Sequence, residues 1–173
     1  MKIKSISKKI DKVLSFFEEN VIFILLLTML LAVFSNFVSR YFFNTTLGWA
    51  EELSRYLLIW STFIAASYGV KKGAHITLDV LVIYLSEKAN KVLRATSYII
   101  SMVFCVLVVY IGIPFINDLI ATNQLSPSLR LPMYIVYGSI VLGSILMFIR
   151  YLLLFISDIL YGEKIEKTDI LPD

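Results

Sequence analysis

The chain has one cysteine and one histidine among its 173 residues, and these scarcities remove whole classes of chemistry. With a single thiol, Cys105, neither an intramolecular disulfide nor a paired-cysteine redox centre can form. With a single imidazole, His75, lying in a link between apolar runs, the chain lacks the ligands for a zinc site or a bis-histidine haem. No apolar run carries a His or Lys at depth to act as base for a serine nucleophile. The sequence therefore reads as non-enzymatic, with no catalytic, cofactor-binding or metal-binding residue to assign. Proline is also sparse, at four residues, and no Pro/Ser-rich linker, internal repeat or separate soluble domain is present.

What is abundant is apolar surface. Hydrophobic residues make up 58% of the chain and mean hydropathy is +0.81, more than a soluble core of this length can bury. Runs with little or no charge occur at Val21–Ser39, Leu57–Val70 (extendable back to Trp49), Ala95–Asn117 and Leu131–Ile149. Each is near the roughly 20 residues that cross about 30 Å of hydrocarbon as helix. They do not alternate polar with apolar, so barrel strands are not expected. The expectation is an all-α integral membrane protein with four transmembrane helices, at about 20–40, 49–70, 95–119 and 131–156. These form a single membrane domain over 1–161, and the polar tail 162–173 is expected to be disordered. The first run is read as a retained span, because no small-x-small cleavage pattern follows it.

Basic residues orient these spans. Thirteen of the 16 lie in the leading segment (Lys2, Lys4, Lys8, Lys9, Lys12), the middle link (Lys71, Lys72, Lys88, Lys91, Arg94) and the tail region (Arg150, Lys164, Lys167). The other two links hold only Arg40, Arg55 and Arg130. Positive charge stays inside, which predicts cytoplasmic N and C termini. The net charge of +3 then reflects topology and gives no reason to invoke nucleic acid.

Two further segments have the pattern of helices lying on the bilayer. In 1–19, Ile3, Ile6, Ile10, Val13, Leu14 and Phe17 recur at helical spacing with lysines opposite, as suits contact with anionic membrane lipids. At about 75–87 an apolar stretch too short to cross twice and too charged at its ends to cross once reads the same way.

No span combines charge with midplane depth: Asn36, Asp118, Ser139 and Ser144 are the deepest polar candidates. Charge gathers instead at the head of the second span, in Trp49-Ala50-Glu51-Glu52-Leu53-Ser54-Arg55-Tyr56. Glu51 and Glu52 fall where carboxylates complement the helix dipole, Glu51 is placed to pair with Arg55, and Arg40 is close enough in the hairpin to join them. Trp49, Leu53, Tyr56 and Trp60 form one aromatic-rich stripe. Two readings fit: an aromatic belt with capping acids at the membrane surface, or a face that meets another protein. On the second, the candidate interface is Arg40, Trp49, Glu51, Glu52, Arg55, Tyr56 and Trp60.

Arg40-Tyr41-Phe42, the Trp49–Arg55 cluster, Trp60 and Phe63 before Ala65-Ala66, and Lys71-Lys72-Gly73-Ala74-His75-Ile76 with Asp79 resemble one family. It is the small permease (Q-type, DctQ-like) subunit of tripartite ATP-independent periplasmic (TRAP) transporters, and the likeness runs from about Arg40 to Leu85. The chain departs from the pattern in an alanine where glycine is expected after Phe63, and in Tyr137-Gly138-Ser139, which lacks a proline common in relatives. The resemblance implies a bacterial inner-membrane protein that is a non-catalytic scaffold. Its partners would be a large permease subunit and a periplasmic substrate-binding protein, in sodium-coupled uptake of an organic acid of the C4-dicarboxylate or sialic acid type. The alternative is a small transporter or channel acting alone as a homo-oligomer.

Overall fold

The computed structural model describes residues 2–73 and 87–160. They form four helices: α1 (Lys2–Phe43), α2 (Gly48–Gly73), α3 (Glu87–Ala121) and α4 (Met133–Phe155), the last continued by a π-helical turn, Ile156–Leu160. Among the described residues there is no strand, only an isolated bridge between Leu125 and Pro132 in the α3–α4 loop.

Among the described residues, three stretches are long and apolar enough to cross a membrane: Val13–Phe43, Ala89–Ala121 and Met133–Asp158. The four-span expectation meets its exception in α2. At 26 residues it is about 39 Å long, sufficient to cross, but it is more polar than the others. The cause is its place in the bundle. Contacts run in the order α1, α2, α4, α3, so α2 has a neighbour on both sides, whereas α1 and α3 occupy the two edges. An inner helix can bury polar side chains against protein, and Ser61 and Ser67 are at 3% and 0% exposure. The edge helices turn large apolar side chains outward, among them Phe23, Phe34, Phe104 and Tyr110.

Helix contacts are made by small residues, as expected where lipid offers apolar surface equal to that of a neighbouring helix. α2 and α4 cross at Gly143, where an added Cβ would lie 2.7 Å from the Cβ and 2.9 Å from the carbonyl oxygen of Phe63. Ser139 and Ser144 flank the crossing, fully buried, each donating to a carbonyl of its own helix. At the end of the bundle near the chain termini, Val70, Tyr98 and Leu154 form an apolar cluster with Met147, Tyr151 and Phe155 packed on it.

The segment expected to lie on the bilayer at 1–19 does not form a separate element: residues 2–43 are one helix without a break. The second expected surface helix, about 75–87, lies outside the described residues except for Glu87, which opens α3. His75 and the tail 162–173 also lie outside them. Pro114 is accommodated within α3, which runs on to Ala121, and Asp118 is an exposed residue of its last turn.

Candidate functional site: two polar clusters at opposite ends of the bundle

The charged head of α2 sits beside the α3–α4 loop, and one of its two adjacent acids is buried there. Glu52 is 4% exposed. Its Oε2 accepts the backbone N–H of Ser128 at 2.7 Å and of Leu129 at 3.0 Å, and its Oε1 accepts the Tyr56 hydroxyl. The loop arrives preformed: Ser126 donates its N–H to the Leu131 carbonyl at 2.9 Å, and Leu131 donates back to Ser126 Oγ at 3.1 Å. Asn123 and Arg130 adopt left-handed backbone at φ 47° and 52°. Asparagine tolerates that region. Arginine does so at a cost, which the surrounding hydrogen bonds offset. A carboxylate capturing two loop N–H groups makes short, charge-assisted bonds, so Glu52 fastens α3 and α4 to α2 at this end.

The same end is closed a second time by the α1–α2 turn. Asn36 Oδ1 accepts the Leu47 N–H at 2.9 Å, Ser39 and Thr45 hydroxyls lie 3.1 Å apart, and Asn44 takes φ 52°. Asn36, the deepest polar residue expected in the first span, thus serves as a brace for the turn.

The remaining candidates divide by exposure. Glu51 and Arg55 form the expected i,i+4 pair at 3.7 Å, with side chains 62% and 66% exposed, a geometry that contributes little to stability. Arg40 is exposed, and among the described residues no ion pair joins it to Glu51 or Glu52. Trp49 is exposed, while Tyr56 and Trp60 are half-buried. Arg40, Trp49, Glu51 and Arg55 are therefore presented outward; Glu52 and Tyr56 are used internally.

A second cluster, at the termini end, is missing from the sequence expectation. Arg150 is 1% exposed and pairs with both Asp11 and Glu18, the latter fully buried, and its Nη2 donates to Ser15 Oγ at 3.0 Å. Ser67 of α2 donates to the other Glu18 oxygen at 2.6 Å, and Tyr68 donates to Glu19. Three helices meet at one guanidinium. Beside it, Arg94 of α3 pairs with Asp158 at 2.7 Å, and the Tyr98 hydroxyl donates to the same carboxylate at 3.3 Å. Asp158 lies in the π-helical turn that ends α4, a local widening of the kind that re-aims side chains. Two signals in the sequence could have found this cluster: an arginine inside the apolar stretch 131–156, and Asp11 and Glu18 seven residues apart, on one helical face.

The first cluster holds its buried charge by hydrogen bonds and the second by ion pairs. Among the described residues no group of His, Cys, Asp and Glu is arranged to hold a metal ion, and Cys105 is buried within α3. The chemistry available is that of latches between helices.

The sequence model of one family, described as tripartite ATP-independent periplasmic transporters, DctQ component, matches residues 29–160. The C4-dicarboxylate TRAP transporter small permease protein DctQ of Rhodobacter capsulatus is 33% identical over 106 residues, which cover 61% of this chain and 47% of that one. The chain thus spans about half the length of that relative. The ectoine TRAP transporter small permease protein TeaB of Halomonas elongata is 23% identical over 161 residues, covering 93% of this chain and 83% of its own. The sialic acid TRAP transporter permease protein SiaT of Haemophilus influenzae is 28% identical over 95 residues, which are 53% of this chain and only 15% of SiaT. The family is a transporter component of the inner membrane and not an enzyme family. On the match over 29–160, the chain belongs to the DctQ component family of tripartite ATP-independent periplasmic transporters.

Proposed function

We propose that this chain is the small, non-catalytic membrane subunit of a TRAP-type transporter, held in the inner membrane by four spans with both termini cytoplasmic. It pairs with a large permease subunit as a scaffold, and the pair takes up an organic acid, of the C4-dicarboxylate or sialic acid type, with sodium and a periplasmic substrate-binding protein. The observation that carries this reading is the match to SiaT, in which a segment like this one makes up a small part of a much longer permease chain. Small and large parts that share one polypeptide in a relative are expected to associate when they are separate.

The two clusters support a static role. A scaffold for a moving neighbour has to keep its own helices in register, and Glu52 at one end and Arg150 at the other tie the helices together through buried bonds. Arg40, Trp49, Glu51 and Arg55 are free of that duty and remain on the surface, as residues that brace the large subunit or help dock the binding protein.

The reading is tested by expressing the tagged chain with its cognate large permease and measuring copurification and uptake. Recovery of the large subunit is expected with the wild-type chain, together with a drop in recovery or uptake for the combined Trp49→Ala and Arg55→Ala variant. Proteoliposomes holding this chain alone are expected to carry no solute. Substrate flux without a partner would overturn the scaffold reading in favour of a self-sufficient transporter.

A further inference from the structure

The four helices fold as two hairpins, and each hairpin is closed at both ends by bonds of its own. In the first, α1 with α2, Asn36 and Ser39 hold the turn, while Ser67 and Tyr68 donate to Glu18 and Glu19 at the far end. In the second, α3 with α4, the loop bonds to itself and Met133 donates its N–H to the Gln124 carbonyl at 2.9 Å. Phe115 and Tyr137 pack edge to face below that loop, ring centroids 5.1 Å apart, and Arg94 and Tyr98 bind Asp158 at the far end.

Among the described residues the hairpins meet along one seam, made chiefly by α2 against α4, with α1 reaching α4 near the chain termini. Its charged contacts are sorted by side. The carboxylates Glu52, Asp11 and Glu18 all stand on the first hairpin, and the second meets them with the N–H groups of Ser128 and Leu129 and with the Arg150 guanidinium. Ser67 holds one Glu18 oxygen within the first hairpin and leaves the other for Arg150. The middle of the seam fixes its register: Gly143 admits the Phe63 backbone, whose carbonyl oxygen lies 2.9 Å from where a Cβ would stand. One turn away on either side of it are Ser139 and Met147, whose Cβ atoms leave no such clearance. A slipped seam would also strand Arg150 or a carboxylate without its partner, so the wrong registers are penalised as well as the right one favoured.

We infer that the α1–α2 and α3–α4 hairpins are separable modules that recognise each other through this seam, so that their association does not depend on the chain being continuous between Gly73 and Glu87. An acid-bearing face and a donor-bearing face, each shaped by bonds within its own hairpin, have the properties of a preorganised interface between two proteins. The inference concerns this chain alone and stands whether or not a large permease subunit is its partner.

The test inserts a site-specific protease sequence between Gly73 and Glu87 of the full chain, tagged at its N terminus and purified in mild detergent. After cutting, and dilution into a large excess of empty micelles, the α3–α4 fragment is expected to be recovered with the tagged α1–α2 fragment in equal amount. Glu52→Gln combined with Arg150→Met is expected to lower that recovery at least about tenfold. Asn36→Ala, which removes a bond inside the first hairpin, is expected to leave it unchanged. Wild-type fragments that part on cutting would overturn the inference, as would equal losses from the seam variant and from Asn36→Ala. Circular dichroism of the uncut seam variant separates a weakened seam from a failure to fold. Wild-type helix content with lost recovery supports the seam, whereas loss of both overturns the claim that each hairpin is closed by itself.

Discussion

At position 51 a carboxylate is solvated and at position 52 it is buried, and one step along the helix makes the difference. The step rotates the side chain by about 100°, from open surface to the loop that Glu52 captures. Arg150 is the more consequential case, because its charge is fully inside and balances two acids. Replacing it with methionine removes the partner and leaves Glu18, at 0% exposure, as an uncompensated charge. We expect Arg150→Met to destabilise the detergent-solubilised protein by about 3–5 kcal/mol, read as a fall in unfolding temperature. Adding Glu18→Gln should recover most of that loss, since removing both members of a buried pair is far less costly than removing one. A double variant no more stable than Arg150→Met would show that the guanidinium acts through packing and not through charge. The residue-level pattern was only half legible in the sequence. Glu51–Arg55 follows from i,i+4 spacing, whereas Arg150 is more than 130 residues from both Asp11 and Glu18 and is joined to them only by the helix order.

At the scale of elements, apolar runs bounded by charge translated directly into helices, because neither helix ends nor loops can be left unpaired in lipid. What the runs did not reveal was where one helix stops being a surface segment and becomes a span. The lysine-rich lead and the first span share a helical period, and a continuous helix satisfies both patterns at once. Neighbour relations were also hidden, since contacts between α2 and α4 depend on residues with little side chain to read. Gly143 allows the approach of the Phe63 backbone, and any Cβ there meets a carbonyl oxygen that cannot rotate away. Gly143→Val should therefore separate α2 from α4 and cost about 1–3 kcal/mol by overpacking. By contrast, Gly138→Ala on the same helix meets nothing within 4 Å and should be neutral or stabilising, by up to about 1 kcal/mol of helix propensity. Equal melting temperatures for the two variants would mean that the crossing is looser than the structure shows.

For the whole molecule, the two ends of the bundle differ in how basic charge is used. The end holding the α1–α2 turn and the α3–α4 loop has Arg40, Arg55 and Arg130, all exposed, while the helix ends that carry Lys71, Lys72, Lys88 and Lys91 lie at the other. Insertion reads that asymmetry in short flanking segments, so the lysine-rich end should remain in the cytoplasm. Because α1 and α2 are joined by a turn of only a few residues, as α3 and α4 are by a short loop, each pair must be antiparallel and cross together or not at all. This makes α2 a span if α1 is one, despite its lower apolarity: an element with buried polar residues is carried across by neighbours that cover them. A fluorescent reporter that matures only in the cytoplasm is expected to be active at the C terminus, and alkaline phosphatase, active only in the periplasm, is expected to be silent there. Fusion after Pro127, in the α3–α4 loop, should reverse both results. If the phosphatase were active at both positions, α4 would not cross, and the row of helices would have to be seated in the bilayer by its edges alone.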